Sequence, residues 1–153
     1  MARGHSQAAW ETNRIQTESL RAIVKYLLDT DSVSFALRGQ GGVGARIRAC
    51  RPSDLRMSAI TLAELRYGAD RKGSRKLHSL IDTFAASVEV VSFDEAAAAE
   101  FGRIGSMLAE QGSPIGDFDV LIAAHAMVLQ CILVTNNVRH FSKVRGLSVE
   151  TWA

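Results

Sequence analysis

Short apolar runs alternate along this chain with longer segments whose apolar residues return every three or four positions. Tyr26–Leu28, Leu55–Ser58, Val88–Ser92, Cys131–Thr135 and Leu147–Glu150 are too short for helices and read as strands. The spacing predicts helices over Ser32–Arg38, Gly44–Cys50, Thr61–Ala69, Ser74–Ala86, Phe93–Gln111 and Asp117–Gln130. Leu77, Leu80, Ile81 and Phe84 fall on one face of the fourth helix, and Ala97, Phe101, Ile104 and Leu108 on one face of the fifth. Gly39, Pro52, Gly112 and Pro114 punctuate the exits. Strand–helix alternation at this spacing makes βαβ units. The expected fold is therefore α/β, a mainly parallel sheet of four to five strands covered by helices on both faces. The glycines of "GQGGVG" follow a helix rather than a strand and depart from G-x-G-x-x-G, so they read as a loop and not as a dinucleotide site.

Residues 1–23 lack this pattern and read as an N-terminal extension, partly helical through Ile15–Ile23, ahead of a single domain over 24–153. Val24-Lys25-Tyr26 reads like a native start. A domain of this size buries enough apolar surface to stand without staples. Cys50 and Cys131 are far apart and lack paired ligand spacing, which argues against a disulfide framework or a zinc module and for a reducing, cytoplasmic setting. No apolar run approaches a membrane span, and the N-terminus has no signal-peptide core.

The net charge of +2 says little, but its distribution says more. From Arg46 to Lys76 nine bases stand against three acids; from Asp94 to Asp119 six acids stand against Arg103 alone. A basic lobe beside an acidic one suits a polyanion and a cation site. From charge alone, two solvated helix faces of opposite sign are the plainer reading, since charge runs usually need no partner.

The acids acquire a location once the sheet is parallel, because all strand ends then share one edge, where ligands bind. Asp29 and Asp31 follow the first strand, and Glu64 opens the helix after the second. Asp117 and Asp119 open the helix "GDFDVLIAAHA", and Thr135, Asn136 and Asn137 end the fourth strand. Each has a plainer reading. Asp29 or Asp31 caps the next helix, Thr61-x-x-Glu64 and Ser92-x-x-Glu95 match capping boxes, Asp117 is a good N-cap, and the asparagines are turn residues. Taken together, uncompensated carboxylates on one rim repel one another, and a divalent cation with a taste for hard oxygen ligands, Mg²⁺ or Mn²⁺, relieves that conflict. His5, His78, His125 and His140 share no ligand spacing and read as satisfied surface or core histidines.

Five segments, "YLLDTDSVSFALRG", "SAITLAELRYGA", "VVSFDEAAAAEFGRI", "GSPIGDFDVLIAAHAM" and "LVTNNVRHFSKVRGLSVETW", resemble in order those of the PIN-domain ribonucleases, and within them the VapC toxins of toxin–antitoxin pairs. The resemblance implies a three-layer α/β/α sandwich and a Mg²⁺- or Mn²⁺-dependent endoribonuclease. On it Asp29, Glu64 and Asp119 are the catalytic acids, with Asp29 and Asp119 holding the main metal. Thr135 and Asn137 are further polar positions on it, and many relatives carry aspartate where this chain has Asn137; Asp31 stands where Asn is common and Asp117 is not demanded by the pattern, so these two acids either add ligands or only cap. It also implies a cognate antitoxin over the rim, an RNA substrate such as tRNA, a homodimer, and no membrane. The basic lobe would hold the RNA backbone through Arg66, Arg71, Lys72, Arg75 and Lys76.

Two rivals stand beside this reading. "DTDSV" fits the D-x-D-x-T/V signature of haloacid-dehalogenase-like phosphatases, with Asp29 as nucleophile, but that chemistry needs a late acidic pair after an apolar strand, and "GDFDV" opens a helix. A non-catalytic PIN-like binding module is the other.

Overall fold

Strands of two to four residues hold a core only if helices take over where they end. The computed structural model describes residues 24–153, so the expected extension over 1–23 lies outside the described residues. β1 (Tyr26–Leu28) runs straight into Asp29, whose extended backbone and carboxylate cap α1 (Thr30–Leu37). After α2 (Val43–Ala49) and one 3₁₀ turn, β2 (Leu55–Ser58) ends on Ser58, which itself caps α3 (Ala59–Lys72). Next come α4 (Arg75–Ser87), β3 (Glu89–Val91), α5 (Glu95–Glu110), α6 (Asp117–Leu129) and β4 (Ile132–Val134). The described chain closes with α7 (Val138–Phe141) and β5 (Val149–Glu150).

The five strands pair in the order β3-β2-β1-β4-β5, every pair parallel. The chain steps outward from β1 to β3 on one side, then crosses back to lay β4 and β5 on the other. The reversal between β1 and β4 is a topological switch point, where the strand ends part and leave a crevice. Asp29 and Thr135 stand at its two lips, tied by the Asp29 N–H donating to the Val134 carbonyl at 2.9 Å.

Alternation along the strands splits the core in two. Leu27 and Leu133 pack with residues of α5, α6 and α7, whereas Leu28, Val134, Leu55 and Met57 pack with residues of α1 to α4. Each fully buried leucine contributes about 1.5–3 kcal/mol by leaving water. Ala97, Ile104 and Leu108 of α5 are buried as their spacing predicts, with Phe101 packed beside them. α5 packs on α6 with Gly105 beside Val120, where a Cβ would make an ordinary contact at 3.7 Å. Trp152 is buried against Tyr26, ring centroids 4.9 Å apart, with the Arg46 guanidinium over its ring.

The differences from the sequence reading are local. Leu80 is 38% exposed, so the buried stripe of α4 is Leu77, Ile81 and Phe84. α3 starts two residues early because Ser58 caps it, which puts Thr61 inside the helix and dissolves its capping box. Asp94, not Ser92, caps α5, accepting from the Ala97 N–H at 3.0 Å. Gly116 stands in the cap position of α6, and Asp117 is its first residue. α7, only four residues long, leaves no periodicity to detect. Both cysteines are free, and among the described residues no helix is long and apolar enough to cross a membrane.

Candidate active site

Asp29 is the hub. It is 5% exposed, and each carboxylate oxygen is engaged: Oδ1 accepts from the Thr30 N–H at 2.8 Å and Oδ2 from the Thr135 hydroxyl at 2.7 Å. Burial pushes its carboxyl up to about 7, with the charge of Asp31 adding to the push and that of Asp119 adding less; the bonds from Thr135 and Thr30 pull the other way. Each oxygen keeps a second lone pair for another partner.

Asp31 lies in the first turn of α1 and accepts from the Asn136 N–H at 3.1 Å, which ties α1 to the loop after β4. The Thr135 hydroxyl has one hydrogen, and the 2.7 Å contact to Asp29 takes it over the 3.4 Å contact to Asp31. The same oxygen accepts from the Asn137 N–H at 3.0 Å.

Glu64 sits in the second turn of α3, where its Oε1 accepts from the Thr30 hydroxyl at 2.7 Å. Thr30 thus serves two acids, Asp29 through its backbone and Glu64 through its side chain. Burial raises the Glu64 carboxyl, partly offset by that Thr30 bond, and the charges of Asp119 and Asp31 raise it further.

Asp119, in the first turn of α6, meets His140 of α7, with Oδ2 3.2 Å from Nδ1. That nitrogen is also 2.9 Å from the side-chain amide of Asn137. The carboxylate contact needs a proton on Nδ1 and donation from the amide needs Nδ1 bare, so His140 satisfies one neighbour at a time. Sequence alone makes His140 a bystander, because it shares no motif with Asp119, 21 residues away. The available signal is its place three residues after Asn137, one helical turn on.

Asp117 is exposed at the start of α6, and no described residue hydrogen-bonds it. Of the expected RNA-binding bases, Arg66 is spoken for: its guanidinium pairs with Asp82 and donates to the His78 carbonyl at 3.3 Å, bracing α3 against α4. Arg71, Lys72, Arg75 and Lys76 are exposed around the α3–α4 turn, where Gly73 takes the left-handed conformation at φ 59°. Lys72 and Arg38, the latter not among the bases the sequence assigns to RNA, line a groove of ≈ 130 Å³ together with Thr30 and Glu64. His125 is a core histidine as expected, 1% exposed, its Nδ1 2.7 Å from the Ser58 hydroxyl.

The structure therefore brings Asp29, Asp31, Glu64 and Asp119 within electrostatic reach of one another from three helix starts, with Thr135 and Asn137 beside them. Among the described residues no three acids, histidines or cysteines are drawn together tightly enough to enclose an ion as they stand. Like charges spread apart, and the fit rests on donor chemistry. Carboxylate oxygens dominate, and Glu64 Oε2 and Asp119 Oδ1 take no hydrogen bond from a described residue. Such a set suits a hard divalent cation rather than zinc.

Comparison with known proteins agrees with this architecture. A PIN domain family model matches residues 26–147. The chain is 35% identical over 132 residues to the tRNA(fMet)-specific endonuclease VapC of Shigella flexneri, covering 86% of this chain and all of that protein. It is 34% identical over 132 residues to the ribonuclease VapC2 of Haemophilus influenzae, covering 85% of this chain and 99% of that one. The DNA-bound VapBC of Salmonella typhimurium superposes with a TM-score of 0.80 at 32% identity, covering 85% of this chain and 99% of that one. VapBC2 of Rickettsia felis, bound to a promoter DNA fragment, superposes with a TM-score of 0.79 at 28% identity, covering 85% of this chain and all of that one. The phosphatase rival loses its late acidic pair, since Asp117 and Asp119 open a helix. A parallel five-stranded sheet with an acid-lined switch point, matched over its length by these relatives, places the chain in the PIN domain family, among the VapC ribonucleases.

Proposed function

We propose that the chain is a Mg²⁺- or Mn²⁺-dependent endoribonuclease toxin that cuts RNA at the Asp29 crevice and is silenced by a cognate antitoxin. The observation that carries this is the state of Asp29: a buried carboxylate at the switch point, crowded by Asp31 and Asp119 and pushed up to about 7. A group held at that cost for structure alone is better replaced by an apolar residue; for binding a cation it is useful.

In this reading Asp29 and Asp119 hold the ion, with Asp31 and Asn137 in reach. When bound, the ion stabilises negative charge on the phosphoryl oxygens and acidifies the attacking water. Thr135 and Thr30 fix the Asp29 carboxylate through both its oxygens. Glu64 is pinned by Thr30 at Oε1, which leaves Oε2 to accept from the water and aim it. Asp119 is steadied from outside by His140. Lys72 and Arg38 offer the phosphates of the strand a cationic path away from the acids, with Arg71, Arg75 and Lys76 beyond.

A tRNA is the first substrate to try, because the Shigella flexneri and Salmonella typhimurium relatives are tRNA(fMet)-specific endonucleases. The antitoxin is inferred from the VapBC complexes it superposes on, and a homodimer and a cytoplasmic setting belong to the same reading. The test is incubation of the purified protein with total tRNA, with Mn²⁺ or with EDTA, followed by mapping of new 5′ ends. Discrete cuts that need the metal and vanish in Asp29→Ala are expected. Intact tRNA and intact total RNA at all metal concentrations would overturn the proposal.

A further inference from the structure

We infer that Tyr67 and Phe118 form a stacking subsite for an unpaired nucleobase next to the scissile phosphate. This inference rests on the ribonuclease reading and names how that site grips its substrate.

The two rings are the most exposed of the large apolar side chains standing in water among the described residues, Tyr67 at 70% and Phe118 at 55%. They come from different helices, α3 and α6, yet both line one open cavity of ≈ 620 Å³. Its other lining residues are Thr30, Ala63 and Glu64. Each ring is placed by an acid of the site: Tyr67 follows Glu64 by one helical turn, and Phe118 immediately precedes Asp119. Neither ring belongs to either core cluster, so packing does not explain them.

Chemistry selects the occupant. Among the groups that line this cavity the charged one is Glu64, an acid, which disfavours a phosphate inside it. The rings offer faces on which any base stacks. Thr30 and Glu64 also line the groove together with Arg38 and Lys72. One strand crossing the acids therefore finds aromatic rings on one side and cations on the other, the two kinds of contact that single-stranded RNA requires.

The experiment uses the full chain with Mn²⁺ and the RNA that the wild type is found to cut. Tyr67→Ala and Phe118→Ala are each expected to raise KM by about five- to hundredfold, the range for losing one stacked base. Tyr67→Phe and Phe118→Tyr keep a ring and should keep KM near wild type. An oligonucleotide with an abasic residue beside the cut should weaken the wild type by a similar factor and the double alanine variant no further, because the partner ring is already gone. Unchanged KM in both alanine variants, or a full additional loss on the abasic substrate, overturns the subsite while leaving the nuclease intact. So does a change of oligomeric mass with KM unaltered, which assigns the rings to a contact between copies, or weakened antitoxin binding with KM unaltered. A wild type that cuts no RNA with Mn²⁺ removes the nuclease reading itself, and the subsite with it.

Discussion

The ends of β1 and β3 are built alike. After each three-residue strand an aspartate takes extended backbone and caps a helix through its carboxylate, Asp29 for α1 and Asp94 for α5. Yet Asp94 is exposed on the edge of the sheet, while Asp29 is sealed at its centre against β4 with three more acids around it. A cap becomes a reactive group when topology buries it and gathers other charges beside it. Local sequence supplies the aspartate; the strand order supplies the chemistry.

The comparison breaks most sharply on activity. Asp29→Ala should abolish metal-dependent RNA cleavage, whereas Asp94→Ala should cut at the wild-type rate and lose only the worth of a cap, about 1 kcal/mol of stability. Equal losses of cleavage would dissolve the distinction.

The next effect is on stability against pH in EDTA. The folded Asp29 holds its proton up to about 7, against an ordinary value of 3.8, so folding favours the protonated form. Its contribution is fully present at acid pH and is lost as pH rises between those values, by on the order of a few kcal/mol. Denaturant titrations should show this decline in the wild type and in Asp94→Asn, and a flatter profile in Asp29→Asn.

Metal should reverse the decline. Because the ion takes the ionised carboxylate, Mn²⁺ should raise the melting temperature more at about pH 8 than at about pH 5.5 in the wild type and in Asp94→Asn. Asp29→Asn should show little rise at either pH. The smallest expected effect is that of Thr135→Val, which removes the bond to Asp29 and the acceptor of the Asn137 N–H and costs about 1–2 kcal/mol at the higher pH, with a weaker Mn²⁺ response; at the lower pH, where Asp29 is protonated, the cost shrinks.

Much of this molecule is legible in its sequence, for identifiable reasons. β1, β2 and β4 are central or buried enough to leave short strand signals, and α5 keeps a strict helical stripe, so their places, to within two residues at each end, and the parallel sheet emerge from periodicity. The rim position of Asp29, Glu64 and Asp119 follows from that sheet. What escapes is what depends on contacts across the chain. Glu64 pairs with Thr30 rather than closing a capping box with Thr61, a bond spanning 34 residues. Arg66 looks like a free base until Asp82, on the next helix, claims it. His140 gains meaning only once α7 folds against the start of α6. The resemblance to a family carries the acids across where spacing alone leaves them as caps.

Ser58 has a consequence of its own. Its hydroxyl accepts from the Ile60 N–H and meets His125 Nδ1, while the same ring bonds the Ser92 backbone. Burial holds His125 below its ordinary value, while the charge of Asp94 and the bond to the Ser92 backbone pull the other way. That contact ties the middle of α6 to the root of α3, so the helices bearing Glu64 and Asp119 share a buried polar link behind the site. Charging that buried ring costs stability as pH falls, at a pH where Asp29 in front has already taken up its own proton.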